Sequence, residues 1–313
     1  MSVVAYWNGS FVEPEEGRLP IDERGHQFGD GVYEVVRVYG GKPFLLDMHL
    51  NRLDDSLRLI GIENPHTHDE WTRLIYDAIR ESRESEALVY WQVTRGIAPR
   101  AHLFPSVAPS VSLTVRPFSP NESTSMTLLA LPDERWANVF VKSLNLLPNV
   151  LAKEAAKRAG ANEALLVRDG RVTEGSSSNA WFVRGAQIIT APANRFILNG
   201  ISRRFTLELT QKLGLSVTER ALSWDEISTV DEVFMTGTTI EIIPVSEIMM
   251  STNTQKALYH LPDFPTGDLM DVGDNMKTVW TARTSNRIAR ELHKAFLDEV
   301  ERFRHQAKSV VGR

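Results

Sequence analysis

Residues 31–60 read GVYEVVRVYGGKPFLLDMHLNRLDDSLRLI, and a change of period inside this stretch decides the fold class. β-Branched and aromatic residues crowd 31–46, and Tyr39-Gly40-Gly41-Lys42 supplies a hairpin turn, so the first half predicts strands. From Leu46 the spacing lengthens. Leu46, Leu50, Leu53, Leu57 and Ile60 recur every three or four residues, which predicts an amphipathic helix over 47–60 stopped by Gly61. Strands leading straight into a helix imply an α+β domain. Outward from this stretch, residues 4–12 read as a short strand and turn. Trp71, Leu74, Ile75, Ala78 and Ile79 mark a second helix, and 87–94 and 110–116 return to strands.

The polar run Ser119-Pro120-Asn121-Glu122-Ser123-Thr124-Ser125 separates two strand-like stretches and reads as a linker. It divides a smaller domain, 1–118, from a larger one, 126–313. The larger domain alternates: a strand at 126–131, a helix at 150–159 closed by Gly160, a strand at 163–168, a hairpin at 180–190, a helix at 203–213 and a strand at 232–236. From about Thr281, Ile288, Leu292, Phe296, Val300, Phe303 and Ala307 form an apolar stripe on a charged helix, best covered by its own domain.

At 313 residues the chain exceeds what one hydrophobic core comfortably serves, which predicts two unequal domains with a cleft between them as the default site. The net charge of -5, with both signs interspersed, argues against a nucleic-acid partner. There are no cysteines, so disulfides, thiolate zinc sites and cysteine nucleophiles are excluded, and no metal is expected. No basic leader and no long apolar run point to a membrane, and a cytoplasmic protein is expected.

Two loops of the second half suit an anion. Asn199-Gly200-Ile201-Ser202 turns directly into a helix, whose start presents free N–H groups and a positive dipole end to a phosphate. Ser202 could cap that helix and also bond a ligand. Thr236-Gly237-Thr238-Thr239 follows a strand, where glycine admits close approach and hydroxyls add donors. Read singly, Ser202 is an N-cap and Thr238 a turn residue. Glu174 opens Glu174-Gly175-Ser176-Ser177-Ser178-Asn179, either a tight turn around something or a solvated loop. Lys142 lies between apolar Val141 and Leu144, a partly desolvated place for an amine. In Pro99-Arg100-Ala101-His102 two potential cations stand two residues apart and could jointly hold a carboxylate; otherwise this is a surface loop.

The blocks ERGHQFGDGVYEVVRVYGG (23–41), VYWQVTRGIAPRAHLFP (89–105), VKSLNLLPNVLAKEAA (141–156), VTEGSSSNAWFV (172–183), ILNGISRR (197–204) and VFMTGTTIEIIPV (233–245) resemble, in order, the bacterial D-amino-acid transaminases of the fold-type IV pyridoxal-phosphate class. The resemblance spans about residues 4–249 and resumes around 273–297. It implies a two-domain α+β aminotransferase with pyridoxal 5'-phosphate in the cleft. It further implies that Lys142 holds the cofactor as a Schiff base and carries the transferred proton, and that Glu174 pairs with the ring nitrogen. Arg52, Ile201, Ser202 and Thr238 are implied around the phosphate, and Leu198 against the ring. Tyr33, Arg100 and His102 would trap the substrate carboxylate, the last two across the subunit boundary of a homodimer.

The reaction so implied is a ping-pong exchange between D-amino acids, such as D-alanine, and 2-oxo acids. On the same fold a branched-chain L-amino-acid transaminase, an aminodeoxychorismate lyase or an (R)-selective amine transaminase would share Lys142 and Glu174. A non-catalytic cofactor-binding protein is the reading from another class. Residues about 251–270 look like an insertion. Pro148-Asn149 and Gly237 depart from the family pattern at what read as turns.

Overall fold

The computed structural model describes residues 3–15, 17–120, 123–261 and 268–305. It divides into two compact units: Met1–Pro120 with Val141–Asn145 and Glu299–Arg313, and Asn121–Phe140 with Leu146–Asp298. Of the larger domain expected as one run over 126–313, residues 141–145 and 299–313 group with the first unit. Asn121 and Glu122 of the expected linker lie outside the described residues.

The first unit is a six-stranded antiparallel sheet in the order β2-β1-β6-β5-β3-β4. Its strands are β1 (Val4–Trp7), β2 (Ser10–Val12), β3 (Gly31–Tyr39), β4 (Lys42–Pro43), β5 (Ala87–Thr94) and β6 (Ser110–Pro117), and a short helix α1 (Arg24–Phe28) precedes β3. Two longer helices, α2 (Leu46–Ile60) and α3 (His68–Ser82), follow β4. Leu50, Leu53 and Leu57 of α2 and Trp71 and Ile75 of α3 join Val32, Val36, Val89 and Trp91 of the sheet in one core. The helical spacing read from the sequence is this buried face. Gly61 ends α2 in the left-handed region at φ 66°, which a glycine adopts without cost.

Alternation along β3 sends Val32, Glu34 and Val36 to the core side, so a glutamate stands among valines under α2. Tyr33 projects from the other side. Strand β4 covers β3 only at Val38 and Tyr39, leaving the first half of that edge open. Residues 141–145 fill it: Tyr33 N–H donates to the Lys142 carbonyl (3.0 Å), and Leu144 N–H donates to the Gly31 carbonyl (3.0 Å). An unpaired strand edge is the physical reason this short segment belongs to the first unit. In the same unit Lys42 Nζ donates to the Arg304 carbonyl (2.9 Å), and the Phe303 and Phe44 rings meet edge to face.

The second unit is built on a nine-stranded mixed sheet in the order β12-β11-β10-β13-β14-β7-β8-β9, with β15 also paired to β14. The strands are β7 (Met126–Pro132), β8 (Glu163–Arg168), β9 (Arg171–Gly175), β10 (Asn179–Arg184), β11 (Gln187–Thr190), β12 (Ser216–Glu219), β13 (Glu232–Gly237), β14 (Glu241–Ser251) and β15 (Met276–Thr281). The helices are α4 (Leu147–Arg158), α5 (Ile201–Lys212) and, as far as Asp298, α6 (Arg287–His305). Leu128 and Ala130 of β7 face one core and Leu129 and Leu131 another, the latter shared with Ala155 and Ala156 of α4.

The sequence placed the start of α4 at 150. It begins three residues earlier because Pro148 sits in the first turn, where its missing N–H and fixed φ are tolerated. Pro148 and Asn149 thus lie in a helix, not a turn. The expected stripe of α6 is buried at Ile288, Leu292, Phe296 and Val300, while Ala307 lies outside the described residues. Glu232 accepts the Ile288 N–H (3.0 Å) and Ala289 N–H (3.3 Å), satisfying the start of that helix. Of the expected insertion, residues 262–267 lie outside the described residues. Tyr259 hydrogen-bonds Asp225 and packs where a Cβ on Gly170 would stand.

Candidate functional site

In the first unit Lys142 is half-buried at the open edge of β3, with its Nζ 4.1 Å from the centre of the Tyr33 ring, a cation–π contact. Tyr33 stacks on Tyr90 (5.7 Å, 30°). The Tyr90 hydroxyl donates to Gln92 Oε1 (2.7 Å), and burial, followed by Tyr33, pushes it up to about 12. It stays a neutral donor throughout the physiological range.

Behind Tyr33, on the core face, Glu34 is fully buried. Burial alone would raise its carboxyl, but the charge of Arg52, its hydrogen bonds and those of His49 hold it down at about 2. Arg52 approaches with its two-nitrogen fork, Nε to Oε1 at 2.6 Å and Nη2 to Oε2 at 2.8 Å, and His49 Nδ1 lies 2.7 Å from Oε2. His49 itself is lowered, first by burial and then by the Arg52 and Lys142 charges, against the pull of Glu34. Arg52, implied at a phosphate, is thus held along one edge by Glu34, one helical turn from His49.

Arg100 and His102 lie on an exposed loop after β5, and both flank the Phe28 ring. The Arg100 guanidinium is 4.7 Å from its centre, and the His102 ring meets it edge to face at 5.8 Å. The structure brings this pair together. Among the described residues neither forms a hydrogen bond, ion pair or ring contact with Tyr33 or Lys142.

In the second unit Glu174, near the end of β9, is buried at 4% exposure. Burial pushes its carboxyl up to about 7, although Arg135, the Leu198 N–H and their hydrogen bonds pull the other way and the Asp133 charge adds to the rise. Arg135 is shared. It gives Nε (2.9 Å) and Nη2 (2.9 Å) to Asp133 and only Nη1 (2.5 Å) to Glu174. Asp133 is lowered accordingly by Arg135 and Arg168, against its own burial.

Glu174 also accepts Asn179 Nδ2 (2.8 Å) and the Leu198 N–H (3.1 and 3.2 Å), and Asn179 donates to the Leu198 carbonyl (2.9 Å). Leu198 is thereby fixed beside the carboxylate. A Cβ on Gly200 would collide with Asn179 Oδ1, so only glycine fits there. Gly200 is the N-cap of α5 and supplies no side-chain acceptor to the first-turn N–H groups, the kind of helix start that suits an anion.

Ser202 is a buried second residue of the helix, not its cap as its sequence context suggested, because the helix starts two residues before the expected 203. Thr238 lies in the tight turn joining β13 to β14, and Gly237 closes β13. Ser178 Oγ is buried with no hydrogen-bond partner among the described residues, against the place where a Gly175 Cβ would stand. Asn149, first seen as a departure from pattern, donates to the Ser176 carbonyl (2.7 Å) and braces this serine turn.

Glu34, His49, Asp133, Arg135 and Asn179 join the site only in the structure. Charged residues standing at alternate, core-facing strand positions, as Glu34 does in GVYEVV, were the available signal. For Asp133 and Arg135, a partner as far along the chain as Glu174, 39 residues from Arg135, gives none.

The family model described as amino-transferase class IV matches residues 31–248. A D-alanine aminotransferase of Bacillus licheniformis is 41% identical over 246 residues, covering 77% of this chain and 87% of that protein. A branched-chain aminotransferase from the thermophilic archaeon Thermoproteus uzoniensis, solved with norvaline, superimposes with a TM-score of 0.80 at 22% identity, covering 96% and 95% of the two chains. A T.th. branched-chain amino acid aminotransferase, solved with pyridoxamine 5'-phosphate, gives 0.77 at 25% identity, covering 96% and 94%.

Proposed function

The chain belongs to the class IV amino-transferase family, and from that premise we propose that it moves the amino group of D-amino acids, such as D-alanine, to 2-oxo acids, such as 2-oxoglutarate or pyruvate. Enzymes of this family depend on pyridoxal 5'-phosphate. The residues in place suit that group. A helix start without a side-chain cap suits the phosphate, a buried carboxylate suits a ring nitrogen, and Ser178 Oγ is a buried polar atom lacking a partner among the described residues. When bound, pyridoxal phosphate supplies an aldehyde that carries the amino group and a ring that takes up electron density from the substrate.

In this reading the Lys142 amine would be the group that holds the cofactor, and, once free, it would lift and return the proton at the substrate α-carbon. Glu174 would hold a proton on the ring nitrogen, and Arg135, pinned by Asp133, keeps that carboxylate from turning away. The Ile201, Ser202 and Thr238 backbone and hydroxyl donors, with Arg52, would take the phosphate, and Leu198 would pack on the ring. Tyr33, Arg100 and His102 receive the substrate carboxylate, the arginine as a planar two-point donor. We further propose a homodimer in which each copy lends Arg100 and His102 to the other. Leu103 and Phe104, 85% and 68% exposed beside that pair, are the apolar surface such a contact would cover.

The observation that carries the substrate assignment is the Arg100–His102 pair gathered on one loop around Phe28, since an amine transaminase has no carboxylate to bind. Purified protein reconstituted with pyridoxal phosphate tests it. D-alanine with 2-oxoglutarate should yield pyruvate and D-glutamate, with L-alanine and (R)-1-phenylethylamine slower by roughly 100-fold or more. Preference for L-alanine or for the amine contradicts the assignment.

A further inference from the structure

The loop that carries Arg100 and His102 is exposed, yet two buried arginines reach it from beneath. Arg24 and Arg95 are 3% and 6% exposed. Arg24 Nη1 donates to the Ala101 carbonyl (2.6 Å), the peptide between Arg100 and His102. The Arg95 guanidinium lies 3.5 Å from the centre of the Phe104 ring and is itself tethered to the end of α2 through the Gly61 (2.9 Å) and Ile60 (2.8 Å) carbonyls. One carboxylate bridges the two cations: Asp30 accepts Arg24 Nε at 2.8 Å and Arg95 Nε at 2.9 Å. The base of the loop is pinned as well. A Cβ on Gly96, at φ 102°, would collide with the Ala108 carbonyl oxygen, so the two ends of the loop touch.

We infer that Arg24, Asp30 and Arg95 are positioning residues that hold the Ala101 peptide, and through it set Arg100 and His102 for the substrate carboxylate; this rests on the reading of that pair given above. Stability alone does not account for the arrangement. An exposed carbonyl such as that of Ala101 is satisfied by water at no cost. Burying two guanidiniums to reach this loop carries a desolvation penalty that apolar side chains would avoid. The arrangement does serve geometry, because a two-nitrogen fork fixed at both ends sets direction as well as distance. Phe28 completes the fit, with Arg24 at 4.8 Å on the same ring that Arg100 and His102 flank.

The test uses Arg24→Lys, which keeps the charge and loses the fork, and Asp30→Asn, which removes the bridge, both in the reconstituted holoenzyme. Hydrogen exchange of peptides spanning 97–104 should quicken roughly 10-fold in either variant, with the rest of the chain unchanged. That readout needs no substrate, so unchanged exchange overturns the clamp whatever the enzyme acts on. In kinetics, KM for D-alanine should rise roughly 10-fold or more while kcat stays within about 2-fold, with (R)-1-phenylethylamine unaffected. Arg24→Lys added to Arg100→Leu should cost no more than Arg100→Leu alone, because the clamp acts through that residue. Faster exchange with an unchanged KM, equal losses on both substrates, or additive losses in the double variant overturn the positioning role. If Arg100→Leu itself spares D-alanine turnover, the functional reading of the loop fails, and the exchange result stands apart from it.

Discussion

Glu34 and Glu174 are both buried carboxylates facing an arginine, one in each unit, and they are driven in opposite directions. Glu34 is held at about 2 and Glu174 is pushed up to about 7. The difference is in the arginine. Arg52 turns both nitrogens of its fork on Glu34, with His49 closing the remaining side. Arg135 spends two of its three donor nitrogens on Asp133 and reaches Glu174 with one, while the Asp133 charge opposes a second negative charge nearby. Full pairing keeps Glu34 ionised down to about pH 2, and a shared partner leaves Glu174 a carboxyl that exchanges its proton near neutrality. The first arrangement suits a structural post and the second a group that must hold a proton on a cofactor.

The sharpest break of this contrast is Glu34→Gln. It leaves the buried His49 without its carboxylate and takes both fork contacts from Arg52, and should cost roughly 3–5 kcal/mol in denaturant unfolding. Acid should reveal the same post in the native protein. Because the folded carboxyl titrates below its ordinary 4.5, its contribution, roughly 3 kcal/mol, is present above pH 4.5 and drains away as pH falls toward about 2. A Glu34→Gln variant as stable as the parent at pH 7, with the same acid profile, would remove the anchor from the account.

Glu174→Gln should do the reverse, sparing the fold and slowing the chemistry. The raised carboxyl is most costly when ionised, and that cost grows as pH climbs from 4.5 to about 7, so the amide should be no less stable at pH 8. Turnover with D-alanine should drop by roughly 100-fold, about 2.7 kcal/mol, with cofactor retained. Undiminished α-proton removal, followed as loss of deuterium from α-deuterated D-alanine, would leave Glu174 a mere binding residue.

How much of this was legible in advance follows from where each signal resides. The strand-to-helix switch at Leu46 is local, and its leucines are the buried face of α2. The α5 start at Ile201 is local too, though the cap is Gly200 and not Ser202, and the need for glycine there comes from Asn179, 21 positions away in sequence, whose Oδ1 stands where a Cβ would be. The recruitment of residues 141–145 to β3 was not legible, because it depends on β4 ending after two residues and leaving an edge to fill. Nor were the buried ion pairs, since a charged residue reads as solvent-facing until its partner is known. Arg24 and Ala101 lie 77 positions apart, and Arg135 and Glu174 lie 39 apart.

The claim on which the whole reading depends is that Lys142, on the open edge of β3 beside Tyr33, is the residue that binds pyridoxal phosphate covalently. Borohydride reduction of the yellow reconstituted protein, followed by peptide mapping, tests it directly. The account predicts the phosphopyridoxyl group on the peptide containing Lys142 and no stable label in Lys142→Ala. The same group on Lys153 or Lys157 of α4, or unchanged labelling of Lys142→Ala, would contradict it.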